Sequence, residues 1–254
     1  MGKVLVNEQN GILEIKINRP ERRNAVDFDV MNDLEAILDE AERNEKLLAA
    51  TITGSGDKAF CAGGDLSVFG NLTTRQEAFY MLSKMGNLLY RFMTLHIPTY
   101  AIINGTAVGG GMEIAASADF RLVKEDAALG FIQGNQAITT GWGGSTMLFE
   151  KMQHDAALYM LTSGKKMTAA KAKELRFASK VFHTDAFDER AAEYIRQSLI
   201  PYPEVVRAYK EIKVNKWIES GLKKRMEEEI SKCSELWISE AHLQAVHQFF
   251  QKRH

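Results

Sequence analysis

The chain opens on two short segments with the period of β-strands. From Ile12 to Ile17, Leu13, Ile15 and Ile17 alternate with Ile12, Glu14 and Lys16, as in a strand that buries one face. With Val4 to Val6 ahead of it and Asn10-Gly11 between, the pattern predicts a hairpin. The period then lengthens. Asp27 precedes Val30, Met31, Leu34, Ile37, Leu38 and Ala41, apolar positions three and four apart, which predicts a capped helix with a charged outer face. Leu48 to Thr53 reads as a buried strand closed by the turn Gly54-Ser-Gly-Asp57. Strand, helix, strand in this order favours a parallel or mixed sheet over a helical bundle.

The unit recurs with variation. A helix is predicted over about residues 75–94, a break at Pro98, a strand over Thr99 to Asn104, a glycine turn opening a short helix, and a strand over Phe120 to Val123. Met81, Met85 and Met93 with Leu82, Leu88 and Leu89 form an apolar stripe that reads as core packing. From Thr168 the pattern is mostly helical, with helices predicted near 168–175, 187–199, 203–217, 221–235 and 239–251. The expected fold is an α/β core followed by a helical carboxy-terminal part. No fixed-period repeat or low-complexity tract interrupts it.

Composition narrows the function classes. The 254 residues carry 32 Lys+Arg against 33 Asp+Glu, a balance that supplies no global attraction for nucleic acid or an anionic membrane. No run of about 18 apolar residues is present to span a bilayer, and the amino terminus lacks the apolar stretch of a signal peptide. Cys61 and Cys233 share no ligand-like spacing with the histidines, so neither a disulfide framework nor a metal site is expected. The expected setting is a reducing cytoplasm. His242 and His247 are five apart, which does not suit a helical metal pair.

Candidate chemistry sits in two glycine-rich turns, Phe60-Cys-Ala-Gly-Gly-Asp-Leu66 and Asn104-Gly-Thr-Ala-Val-Gly-Gly-Gly-Met-Glu-Ile114. Each is either a tight strand-to-helix turn or a place where backbone N–H groups converge on one anionic oxygen. No G-x-x-x-x-G-K-[ST], no strand-borne G-x-G-x-x-G and no G-x-S-x-G occurs, so nucleotide and serine-hydrolase sites are not supported. Glu113 follows three glycines where a helix would begin. It either complements the helix dipole or exchanges a proton beside an oxyanion hole. Cys61, inside the first turn, has no basic partner nearby in sequence and reads as a small buried residue. Lys223-Lys-Arg225 reads as a solvated helix face, with the phosphates of a ligand as the alternative.

Together Asn18-Arg-Pro-Glu-Arg-Arg-Asn-Ala25, Lys58-Ala-Phe-Cys-Ala-Gly-Gly-Asp-Leu66, Gly105-Thr-Ala-Val-Gly-Gly-Gly-Met-Glu113 with Asp119, and Gly141-Trp-Gly-Gly144 resemble the crotonase superfamily, in particular its enoyl-CoA hydratase/isomerase members. The resemblance spans nearly the whole chain. It implies a crotonase-like spiral of ββα units with a helical carboxy-terminal region, assembled as a homotrimer or a dimer of trimers. It implies an acyl-CoA-binding core over residues 1–190, and a region over 191–254 that completes the site and the oligomer. The implied partner is an acyl-CoA thioester; no separate cofactor is expected, since coenzyme A is carried by the substrate. The N–H groups of Gly64 and Gly110 match the oxyanion-hole positions. Arg22, Ala25, Ala62, Gly64, Asp65 and Leu66 fall in segments that line the CoA site, and Glu113 matches the first of the two glutamates of hydratases.

The second glutamate is absent. Counted back from Gly141-Trp-Gly-Gly144, its position is held by Gln133, whose amide can orient a water or a carboxylate but cannot exchange a proton near pH 7. Losing one general acid or base costs about 10²–10⁴-fold in rate. Decarboxylation of a malonyl-type thioester asks for less, an oxyanion hole and one proton donor. Arg91-Phe-Met93, Asp119-Phe-Arg-Leu122, Trp142 and Pro203-Glu-Val-Val-Arg207 are similar to the ethylmalonyl-CoA decarboxylase branch. The expected function is that of an acyl-CoA enzyme of the enoyl-CoA hydratase/isomerase family that stabilises a thioester enolate in a backbone oxyanion hole, with a decarboxylase of a methylmalonyl- or ethylmalonyl-CoA-type substrate as the rival and a catalytically weak CoA-thioester-binding protein as the third alternative.

Overall fold

The computed structural model describes residues 2–251; residues 252–254 of the expected carboxy-terminal region lie outside the described residues. Strands β1 (Val4–Gln9) and β2 (Ile12–Ile17) pair antiparallel from Val4 with Ile17 to Gln9 with Ile12. The two-residue turn between them has positive φ at both Asn10 (55°) and Gly11 (74°), the backbone such a tight hairpin requires. Helix α1 (Phe28–Arg43) starts where Asp27 accepts the Val30 N–H at 3.0 Å. It buries Val30, Met31, Leu34, Ile37, Leu38 and Ala41, the positions the period marks.

Thereafter the chain spirals, each turn laying one strand in each of two sheets before a helix. The first turn gives β3 (Ala49–Gly54), β4 (Ala59–Cys61), α2 (Leu66–Phe69) and α3 (Arg75–Met93). The second gives β5 (Thr99–Ile103), β6 (Thr106–Val108) and α4 (Gly110–Ser117). The third gives β7 (Phe120–Lys124), β8 (Ala128–Gly130), α5 (Gly144–Lys151) and α6 (His154–Thr162). Next come β9 (Met167–Thr168), α7 (Ala169–Glu174) and β10 (Lys180–Phe182), then helices α8 (Phe187–Gln197), α9 (Pro203–Glu219), α10 (Leu222–Trp237) and α11 (Glu240–Gln251). The large sheet runs β1-β2-β3-β5-β7-β10 and is parallel beyond the hairpin; the small one runs β4-β6-β8-β9. This is the spiral of ββα units with a helical carboxy-terminal region that the motifs imply.

The small sheet departs from the periodicity reading, which leaves β4 and β6 inside glycine turns and does not mark β8 or α6. Its strands are two or three residues long, too short for a period of two to show. Residues of α9 and α10, including Trp217, Met226, Ile230 and Cys233, join the same core as the sheets. Gly86 lets α10 lie close on α3, since a Cβ there would stand 2.5 Å from Ile230 Cδ1. Among the described residues no helix is long and apolar enough to cross a membrane.

The second glycine turn opens α4, which is clamped at its far end. Lys151 Nζ donates to the carbonyls of Ala116 at 2.9 Å, Ser117 at 2.7 Å and Ala118 at 2.9 Å, a cation on the negative end of the helix dipole. Burial pushes the Lys151 ammonium well below its ordinary pKa. Asp119, ion-paired with Lys210, accepts the Thr99 N–H at 2.9 Å and ties this end to β5.

Candidate active site

The two glycine turns meet at the start of α4. Gly63, at φ 92°, lies so close to the second turn that a Cβ on it would be 2.9 Å from Gly110 N. Val26 donates to Gly63 O and accepts from Asp65 N, each at 2.8 Å, a parallel bridge centred on Gly64 whose pattern turns Gly64's own N–H away from Val26. That N–H and the N–H of Gly110, in the first turn of α4, have no acceptor among the described residues. Trp142 covers both glycines. A Cβ at Gly110 would lie 2.1 Å from its Cζ3, and a Cβ at Gly64, 3.6 Å from its Cζ2, would lie 2.9 Å from Phe69 Cδ2, so neither residue type is accidental to the packing.

Glu113, one helical turn past Gly110, is only 2% exposed. Its Oε1 accepts the backbone N–H groups of Trp142 at 2.8 Å and Gly144 at 3.0 Å. Its Oε2 accepts the Gln133 side-chain amide at 3.0 Å and, weakly, the Gly141 N–H at 3.4 Å. Burial first, and the Glu229 carboxylate second, push the Glu113 carboxyl up to about 8, against the donors that favour its ionised form. Gly144 lets this approach happen, because a Cβ there would be 2.4 Å from Glu113 Cγ.

Gln133 sits in a short 3-10 turn, Gln133–Gln136, and its Oε1 is buried without a hydrogen-bond partner. The structure brings Gln133 and Glu113, the two side chains that the motifs single out, into one contact. The sequence reading does not anticipate Glu229 on α10, which accepts from Thr140 Oγ1 at 2.5 Å, Ser145 N at 3.1 Å, Thr146 N at 2.8 Å and Thr146 Oγ1 at 2.6 Å. Glu229 follows its partners by more than 80 residues in a glutamate-rich helix, so no local signal separates it from its neighbours.

The remaining expected positions divide by burial. Arg22 is exposed, whereas Ala25 is buried and Ala62 and Leu66 are partly buried. Asp65 is bound into the frame: it pairs with Arg19 at 2.9 Å and caps α2 through the Ser67 N–H at 3.1 Å. Arg19, which the motif reading leaves unassigned, also donates to Ala25 O at 2.6 Å and so fastens both loops that surround Gly64. Burial pushes the Cys61 thiol up to about 12, the behaviour of a packed residue rather than a nucleophile. His242 is buried, with Nδ1 2.6 Å from Gln136 O. Lys223 stands over the Tyr90 ring and Arg225 pairs with Glu150 at 2.7 Å. Among the described residues no three His, Cys, Asp or Glu side chains gather as a metal site would need. A surface cavity of about 300 Å³ is lined by Glu42, His96 and Arg207 among others, away from the glycine turns.

The family model for enoyl-CoA hydratase/isomerase matches residues 7–254. The ethylmalonyl-CoA decarboxylase of Xenopus tropicalis is 31% identical over 93% of this chain and 79% of its own length. The short-chain-enoyl-CoA hydratase of Clostridium acetobutylicum is 26% identical over 100% of this chain and 96% of its own. Among solved structures, a carnitinyl-CoA hydratase from Mycobacterium avium superposes with a TM-score of 0.84 at 28% identity, covering 99% of this chain and 97% of that one.

Proposed function

Since the chain belongs to the enoyl-CoA hydratase/isomerase family, an acyl-CoA thioester being the family's substrate, we propose that it decarboxylates a short 2-alkylmalonyl-CoA of the methylmalonyl or ethylmalonyl type. The observation that carries this reading is the contact between Glu113 and Gln133: one group able to carry a proton, and an amide in place of the second. In the proposed reaction the N–H groups of Gly64 and Gly110 hold the thioester oxygen. The bond from Cα to the carboxylate breaks, CO₂ leaves, and the electron pair passes into the thioester carbonyl as an enolate. Glu113, protonated, delivers its proton to Cα and ends as a carboxylate that solvent reprotonates. An oxyanion-hole donor of this kind is worth about 10²–10³-fold in rate.

The carboxyl's position supports this assignment. A pKa near 8 keeps Glu113 protonated at neutral pH, which suits a donor to carbon. Oε1 already takes two backbone N–H groups, so the proton belongs on Oε2. Gln133, its amide turned over, can then accept that O–H with the oxygen that otherwise lacks a partner, leaving its NH₂ free for a substrate carboxylate. Hydration, in contrast, needs water activated and carbon protonated, and Gln133 can do neither. Similarity to named ethylmalonyl-CoA decarboxylases points the same way. The substrate brings its own coenzyme A.

The test is a panel of crotonyl-CoA, methylmalonyl-CoA and ethylmalonyl-CoA with the purified protein, reading loss of enoyl absorbance and release of CO₂. Faster CO₂ release than hydration is expected. Rapid hydration with slow CO₂ release would return the protein to the hydratases, and silence on both with CoA binding retained would make it a binding protein.

A further inference from the structure

One end of α5 holds two carboxylates. Glu113 takes the N–H of Gly144 and Glu229 takes those of Ser145 and Thr146, so successive donors of one helix start are divided between an acid from α4 and an acid from α10. A single anion at a helix N-terminus is ordinary; two carboxylates sharing one first turn disfavour each other's ionisation. Glu229 moreover grips the loop that positions Glu113, through the hydroxyls of Thr140 at 2.5 Å and Thr146 at 2.6 Å. That loop, residues 140–146, supplies every backbone donor Glu113 has.

We infer that Glu229 is a positioning residue for the proton donor: it fixes the 140–146 loop against Glu113, and its negative charge keeps Glu113 in the protonated form that the reaction consumes. The inference rests on the reading of Glu113 as proton donor. The other titratable groups near Glu113 do not compete for this role. The thiols of Cys61 on β4 and Cys233 on α10 are pushed up to about 12 by burial and stay neutral. His242 on α11 is held below its ordinary pKa by burial and is neutral at the pH where Glu113 titrates. Lys151 faces the opposite end of α4. Gln133 carries no charge.

Substitution of Glu229 by Gln keeps the side-chain length and one acceptor oxygen while removing the charge. Two readouts are compared with wild type: the pH profile of CO₂ release from ethylmalonyl-CoA, and the infrared carboxyl band of Glu113 without substrate, identified by its loss in Glu113→Gln. The alkaline limb and the carboxyl titration should both move to lower pH by about one unit, a tenfold change in the ionisation constant, while Glu229→Asp, which keeps the charge, leaves them near wild type. Glu229→Asn, the neutral counterpart of the Asp variant, is a second neutral variant if the Gln variant does not fold. A uniform loss of rate at every pH with both titrations unmoved would overturn the inference and leave Glu229 a structural cap. The two proposals fail separately: CO₂ release that survives Glu113→Gln would refute Glu113 as donor, whereas the infrared titration reads Glu229's influence with no turnover at all.

Discussion

The side-chain amide of Gln133 donates to Oε2 of Glu113 across 3.0 Å, on the oxygen that the backbone holds least. A carboxylate at position 133 would meet Glu113 at the same place, and two acids in contact share a proton. Gln133→Glu should therefore install the missing acid/base. Hydration of crotonyl-CoA is expected to rise by about 10² or more, and CO₂ release to fall because the new charge repels the substrate's carboxylate. Enoyl absorbance and CO₂ capture on the same preparation read both; unchanged hydration would show that the absent acid is not what limits it.

Glu113→Gln is expected to fold, because its amide oxygen can accept from Trp142 and Gly144 while its NH₂ donates to the unpaired Oε1 of Gln133. It copies the protonated carboxyl without a transferable proton. Turnover of ethylmalonyl-CoA should drop about 10²–10⁴-fold with little change in KM, as steady-state kinetics would reveal.

The raised pKa of Glu113 also makes stability depend on pH. Between its ordinary value of 4.5 and about 8, the folded chain holds a proton that the unfolded chain has released, so rising pH weakens the fold across that window. The Glu113→Gln variant lacks this dependence. Thermal melts from pH 5 to pH 9 should show wild type losing ground to the variant as pH rises, with the gap levelling above about pH 8; a gap that stays constant instead would mean that the buried carboxyl is ionised throughout.

Gly110 has a packing duty besides its N–H. Gly110→Ala would drive a Cβ to 2.1 Å from the Trp142 ring, at a cost of about 1–3 kcal/mol or more for overpacking. Adding Trp142→Leu should recover part of that stability, so the double variant is expected to be less than additive in denaturant unfolding. Additive losses would place the strain elsewhere.

Much of this was legible in the residues themselves. The hairpin turn at Asn10-Gly11, the Asp27 cap and the six buried positions of α1 follow from local period and local hydrogen bonding, where the signal and the structure share one length scale. The glycine turns were visible as turns, and their order and spacing marked the family. The small sheet was not, because strands of two or three residues such as β6 and β9 carry no period. Arg19 and Glu229 were missed for a different reason. Their roles arise from contacts 46 and 83 residues away in sequence, to Asp65 and Thr146, and a charged residue near either looks like any solvated one until the spiral closes.

The proposed reaction at this site releases CO₂ and protonates the carbon left behind. Incubating the protein with ethylmalonyl-CoA in D₂O and weighing the product by mass spectrometry tests that directly. The expected products are CO₂ and a saturated acyl-CoA that carries a single deuterium at Cα, formed faster than crotonyl-CoA is hydrated under the same conditions. Intact ethylmalonyl-CoA alongside rapid conversion of crotonyl-CoA to its 3-hydroxy product would contradict the proposed reaction.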